Sequence, residues 1–320
     1  MINNELKQKG FTLVELLVSL TLGLLVSAAA MQLFYTGQKS AMMQQGSSNL
    51  LNSGYFGLDY IVRDLRLANL GASQPLVNNS TLHGGIVLAK ANISTATTLN
   101  LVGQSDVSGR NMLTTGNIGP TNLNDVAGSD QLVIQFKNEV NNQFDCQGNR
   151  IPQGNYVIQR YFLREDANAS GEPNDALALA CVAATYNQDN LTTLNLSGNG
   201  EIIIPRVDHF HVLLGVATDT MNESVNPAVA GQDGILDRFG YISIENYKAL
   251  TVKPQIVSIK LGLLVRSPNT VGRSDLAPAN ATYNIFDVSG SLTPDPKNDL
   301  YLRRVVTQTI ALRNGFGLKE

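Results

Sequence analysis

The residues of this chain whose types could do chemistry fall into four groups. A single acid, Glu15, interrupts the apolar run Phe11–Met31, where a carboxylate is costly unless it is paired. Two cysteines, Cys146 and Cys181, can cross-link or remain as buried thiols. Of the three histidines, His209 and His211 flank Phe210 and so fall on one face of a strand, while His83 stands apart. Two ligands on one strand can begin a metal site. A catalytic zinc needs three protein ligands, however, and no third is near, so a surface or half-buried strand pair is expected. Lastly, Gly231-Gln232-Asp233-Gly234-Ile235-Leu236-Asp237-Arg238 sets two carboxylates around a glycine, with Asp219 and Glu223 upstream. An oxygen-rich loop of this kind can hold Ca²⁺, which makes Asp233 and Asp237 candidate ligands. It lacks the alternating acids and bidentate Glu of an EF-hand, and an Asp-Gly turn leading into a strand at Tyr241 accounts for the same residues. No Gly-x-Ser-x-Gly elbow, His-Glu-x-x-His, Walker loop or Cys-x-x-Cys occurs, so the chain is expected not to be an enzyme.

The surroundings of these groups set further bounds. Of 320 residues, 43% are hydrophobic, enough for a sizeable core and too many for a disordered chain. Only 15% are charged and the net charge is −3, which leaves no basic face to displace counterions; direct nucleic-acid binding is not expected. The polarity comes from uncharged residues, including 32 Asn, a composition suited to turns and β-structure outside the cytosol.

The N-terminal segment is the most informative. A polar leader, MINNELKQKG, carries Lys7 and Lys9, and FTLVELLVSLTLGLLVSAAAM follows. At ~1.5 Å per residue, Phe11–Met31 spans roughly 32 Å as a helix, enough to cross a bilayer core. The leader lysines keep that end cytoplasmic, so everything beyond about Tyr35 lies outside. A removable secretory signal would be cut after the apolar run, at Ala28–Ala30. Neither that nor a plain anchor explains Glu15, or the glycine directly before Phe11.

GFTLVELLVSL resembles the signature of type IV pilins and pseudopilins, whose leader is removed on the cytoplasmic side by a prepilin peptidase that then methylates the new N-terminus. The resemblance implies a cut between Gly10 and Phe11, an N-methylated Phe11, and an apolar helix that is retained. Glu15 then becomes the fifth residue, an assembly residue pairing with the free amine of Phe11 on a neighbouring subunit. That pairing would remove two charges from lipid and set the axial stagger. The tail YLRRVVTQTIALRN, together with RDLRLA, DGILDRF and VSIKLGLLVRS, is similar to the PilW-type minor pilins. The J-type pseudopilin of type II secretion is similar at both ends and stays as the alternative. The chain departs from the pilus group in having two Cys and a less Asp-rich loop near Asp233.

The resemblance implies a non-enzymatic part of a pilus tip complex that primes assembly. Its partners would be the other minor pilins and the major pilin, the assembly machinery, the prepilin peptidase, a tip adhesin and the inner membrane. The head would be periplasmic before assembly and at the pilus tip afterwards, serving motility, adhesion and DNA uptake through the whole pilus. A membrane-tethered periplasmic adhesin or ligand-binding protein is the reading of another class.

The expected fold is α+β, pilin-like: a long N-terminal helix, transmembrane in its first half, packed on a large antiparallel β-rich head. The expected divisions are a cleaved leader 1–10, a transmembrane helix 11–35, an amphipathic docking helix 36–70 and the head 71–320. Leu50, Leu51, Leu58, Ile61, Val62 and Leu65 recur at helical spacing, and Ala68-Asn69-Leu70-Gly71 reads as a stop. Five glycines between Gly23 and Gly57 predict a bend or melted turn near Gly37 or Gly46. Strands are expected at Gly85–Ala89, Thr98–Val102, Gln131–Phe136, Tyr156–Leu163, Leu177–Val182, Glu201–Ile204, His209–Val216, Tyr241–Glu245, Ile256–Val265 and Arg304–Leu312. Long loops are expected over 70–82, 105–128, 166–175 and 219–234. With the head outside the cytoplasm, Cys146 and Cys181 are expected to form a disulfide.

Overall fold

The computed structural model describes residues 10–102, 112–169, 176–222, 224–270, 281–293 and 301–315. Helix α1 runs from Leu13 to Leu67, roughly 82 Å at helical rise. Thr12 caps it. The Thr12 hydroxyl accepts from the Glu15 amide at 3.3 Å, and Glu15 Oε2 accepts from the Thr12 amide at 3.0 Å, a reciprocal capping box. At the other end Asn69 and Gly71 take positive φ, 70° and 77°, and turn the chain out of the helix. The carbonyl of Ala68, left over where the helix stops, accepts from Asn314 Nδ2 at 3.1 Å, so the C-terminal segment caps α1.

The melted turn expected near Gly37 or Gly46 is absent. The helix continues unbroken through Gly37 and Gly46. Its later glycines are places of close approach. A Cβ at Gly57 would meet Ile204 Cγ1 at 2.1 Å, and one at Gly54 would meet Val306 Cγ2 at 3.1 Å. Gly46, Leu50, Gly54, Gly57, Leu58, Ile61, Val62 and Leu65 form the buried stripe. At three- and four-residue intervals they stay on one side of the helix.

Nine strands build the two main sheets of the head. β1 (Thr115–Gly119), β2 (Ser129–Lys137), β3 (Tyr156–Glu165), β4 (Leu177–Tyr186) and β5 (Glu201–Pro205) form one, in spatial order β5-β4-β3-β2-β1. β6 (Val207–Thr218), β7 (Arg238–Ser243), β8 (Gln255–Thr270) and β9 (Tyr301–Ala311) form the other, in order β7-β6-β8-β9. All pairings within both are antiparallel. The buried stripe of α1 packs on β8, β9 and β5. Ile259, Leu261, Leu263, Val265, Val306, Ile310, Ile204 and Leu179 join it in the main core. A small sheet made of Leu123–Asn124, Thr282–Ile285 and Val288–Leu292 covers part of the opposite side, closing over Leu264.

Several expected boundaries move. Gly85–Ala89 is not a strand; its ladder is a single bridge, Ile86 to Ile134, because Asn92 Oδ1 takes the Leu88 and Ala89 amides at 2.9 Å. The strand at Tyr241 ends at Ser243, whose hydroxyl caps a short helix α2 (Ile244–Ala249) that contains Glu245. The stretch expected as loop over 105–128 contains β1, and that over 219–234 contains a hairpin of Met221–Asn222 with Val229–Ala230. The hairpin Thr282–Ile285 with Val288–Leu292 was not expected as strands. Glu223 lies outside the described residues.

Candidate functional site

Among the described residues, the first half of α1 is exposed along almost its whole length. Over its most apolar window mean hydropathy is 2.1 and no residue is buried, which by length and composition suits a membrane span. Phe11 is 90% exposed and Gly10 has no atom near its Cα that a side chain would meet. Both residues are therefore accessible among the described residues. The Glu15 carboxylate is the one acid of the span and is held by Thr12 at the head of the helix. A patch this large and apolar on a monomer marks a surface meant for lipid or for other chains.

The second half of α1 is fixed to the head by more than its apolar stripe. Tyr161 Oη lies 2.7 Å from both Asp64 Oδ2 and Gln159 Oε1. Its single proton serves one acceptor at a time. Burial, only partly offset by these hydrogen bonds, pushes the Asp64 carboxyl up to about 6. Tyr60 donates to the Asp145 carbonyl at 3.3 Å, bringing the loop at Asp145 onto the helix. The next residue, Cys146, is bonded to Cys181 of β4, with Cα atoms 6.1 Å apart. The expected disulfide therefore pins that loop to the sheet beside α1. An open cleft along this seam is lined by Phe56, Gly57, Tyr60, Cys146, Gln147 and Glu201.

The histidines are buried, contrary to the expected surface or half-buried pair. β6 is an inner strand of its sheet, and β2 and the small sheet lie against it. His211 sits between two carboxylates. Asp130 Oδ2 is 2.8 Å from Nδ1, though not aligned as a hydrogen bond, and Asp287 Oδ1 is 2.8 Å from Nε2. Burial opposes protonation of His211, but the two acids outweigh it and its pKa is raised. Among the described residues His209 has hydroxyl partners, Thr121 at 2.9 Å and Ser129 at 3.2 Å, and burial pushes it down to about 4. Ser129 and Asp130 also accept the Phe210 and Val212 amides, so these side chains stitch β2 to β6. Next to them Asp208 accepts from Arg303 Nε at 2.6 Å and from Asn122 Nδ2 at 2.8 Å. Ser129 and His209 are 0% exposed. His83 is buried as well. It bridges Tyr186 and Asp189, and its ring stacks on Tyr156 at 3.8 Å.

The acidic loop uses its carboxylates on its own backbone. Asp219 accepts from the Gly234 amide at 2.8 Å, Asp233 from the Ile235 amide at 2.9 Å, and Asp237 from the Thr220 amide at 2.8 Å. These are turn-stabilising bonds; desolvation is the largest single influence on the Asp237 carboxyl and pushes it up, but hydrogen bonds from Thr220 and Met221 together with the charge of Arg238 outweigh it and hold the carboxyl below its ordinary value. Among the described residues no group of three or more His, Cys, Asp or Glu is placed to hold a metal ion.

The Asp64–Tyr161–Gln159 contact and the glycine seam were missed in the sequence. An acid in the otherwise apolar register Ile61, Val62, Leu65, Ala68 was the available signal for the first. The spacing of Gly54 and Gly57 on the buried stripe was the signal for the second.

Comparison with known proteins adds the following. Residues 160–314 match the family model described as type IV pilus-assembly protein W, and residues 6–31 match that of the prokaryotic N-terminal methylation motif. Among solved structures, a type IV-like pilin from Thermus thermophilus aligns over 83% of this chain and 96% of its own, with 13% identity and a TM-score of 0.39. No curated protein matches.

Proposed function

We propose that this chain is a PilW-type minor pilin of the type IV pilin superfamily, a reading supported by the family-model matches over residues 160–314 and 6–31, and that it primes pilus assembly and sits in the complex at the pilus tip. In this reading prepilin peptidase cuts between Gly10 and Phe11 and methylates Phe11. The Phe11–Tyr35 segment is held in the inner membrane, with the head in the periplasm. Extraction into the filament then exchanges lipid for neighbouring helices. Glu15 sets the stagger by meeting a neighbour's terminal amine, since both charges are costly in an apolar bundle unless paired.

The observation that carries this reading is the coincidence of a methylation motif over 6–31 with an apolar, wholly unburied helix half. The match over 160–314 supports the pilus reading over the secretion pseudopilus. The role is one of assembly, and other pilins are its partners. Motility, adhesion and DNA uptake would be outputs of the complete pilus.

Deleting the chain and complementing with wild type or Glu15→Gln tests this. The deletion is expected to leave few pili, wild type to restore them, and Glu15→Gln to fail while still accumulating in the membrane. Normal pilus numbers without the chain would overturn the priming role. Normal numbers with Glu15→Gln would overturn the register role of Glu15.

A further inference from the structure

Edge strands invite pairing with other chains, and proteins blunt them with bulges, prolines, charges or covering elements. Three of the four edges of the main sheets are blunted. β5 has a register break between Ile202 and Ile204, ends in Pro205 and lies under α1 at Gly57. β1 is interrupted between Thr115 and Gly119, and Glu245 of α2 takes its Gly116 amide at 3.1 Å. β9 carries Arg303 and Arg304 and is packed against α1. β7 has the least of these defences, a single charge, Arg238, at its first residue. Its six residues pair with Leu213–Thr218 of β6 without a break, and it contains no proline and no lysine. Its outer row of backbone N–H and C=O groups has no strand beside it among the described residues.

The side chains of β7 are as unusual as its backbone. Phe239 is 65% exposed and Tyr241 46%, on one face of the strand, and Ile235 just before it is 57% exposed. The Tyr241 ring lies against Gly215 of the next strand, where a Cβ would meet it at 3.0 Å. The Lys260 ammonium stands 3.8 Å above the same ring. The small sheet that covers Leu264 does not extend over these aromatics, which stay exposed.

We propose that β7 is a docking edge at which an extended strand from another pilin-type head adds to the sheet, laying apolar side chains on Phe239 and Tyr241 and a carboxylate toward Lys260. This rests on the assembly reading and names its contact surface. We take the occupant to be a different polypeptide, because the simplest pairing of two copies, antiparallel through β7, is excluded by geometry. Two copies pairing antiparallel through β7 would be related by a twofold axis normal to the sheet. α1 lies on the face of that sheet, in contact with β8 and β9, so such a rotation reverses its direction. The two apolar helix halves would then point opposite ways and could not share one membrane. A strand from a neighbouring head allows all the α1 helices to run parallel.

Hydrogen exchange of the full-length chain tests this, comparing the detergent-solubilised protein with the same protein in purified filaments and in wild-type and Phe239→Lys forms. A strand added at β7 is expected to slow the outward amides of Arg238–Ser243 by about tenfold or more in filaments, whereas side-chain contact alone leaves them unchanged. Phe239→Lys is expected to abolish that slowing and deplete the chain from filaments, while melting like wild type when isolated. If the chain is in filaments but 238–243 exchange as fast as in isolation, the docking edge is refuted and the pilin reading stands. If the chain is absent from filaments, the pilin reading falls and the docking edge with it. Slowed amides in a concentration-dependent dimer of the isolated chain would refute the choice of a different polypeptide.

Discussion

Replacing Asp64 by asparagine should stabilise the head at neutral pH, although it removes a charge at the main seam between helix and sheet. The carboxyl titrates at about 6 in the folded chain against 3.8 for its ordinary value. Between these pH values the folded state holds the proton more tightly than the unfolded state does. Stability is therefore greatest below the unfolded pKa, falls as pH rises through the folded one, and is flat above it. At ~1.36 kcal/mol per pH unit of displacement, the ionised form costs about 3 kcal/mol. An asparagine keeps an oxygen for the Tyr161 proton but buries an amide that must find a partner, at about 1 kcal/mol. The expected net gain is about 2 kcal/mol near pH 7, shrinking to nothing or slightly negative near pH 4. Urea unfolding of the detergent-solubilised chain, followed by tyrosine fluorescence, reads this out, since there are 10 Tyr and no Trp. A loss of stability for Asp64→Asn that is equal at every pH would refute the reasoning. It would mean that Tyr161 and Gln159 fully compensate the buried charge.

Other substitutions follow from the same geometry. Gly57→Ala should destabilise by about 1–3 kcal/mol because its Cβ collides with Ile204, whereas Gly37→Ala meets nothing and should gain up to ~1 kcal/mol of helix propensity; urea midpoints would compare them. Replacing Cys146 and Cys181 by serine should cost roughly 2–4 kcal/mol, and reductant should do the same to wild type but nothing to the variant. His211 is held protonated by Asp130 and Asp287, so its contribution is complete below pH 6.5 and declines as pH rises through its raised pKa. His211→Gln should remove that decline, seen as a flatter stability profile above about pH 6.5.

What was legible in the sequence follows from how local each signal is. The long helix, its stop at Asn69–Gly71 and the strands at Tyr156, Leu177, Ile256 and Arg304 all rest on periodicity and turn chemistry within a few residues. The packing role of Gly54 and Gly57 was not legible because propensity sees only the cost of Gly, whereas Val306 and Ile204 pressing on them come from distant parts of the chain. Gly85–Ala89 has a strand's composition but loses its ladder to the Asn92 side chain. The burial of His209 and His211 depended on β2 supplying Ser129 and Asp130, and on Asp287 arriving from a hairpin that was not expected. Of the candidate site, the methylation motif over 6–31 could be read from the sequence because it lies in one contiguous stretch. The open edge at β7 could not, since an edge is defined by which strands fail to arrive beside it.

The most direct test of assembly through a trimmed and retained helix is the intact mass of the protein extracted from membranes. The account predicts loss of Met1–Gly10 and the gain of one methyl group on Phe11. A full-length mass, or a mass showing a cut after Ala30, would contradict it.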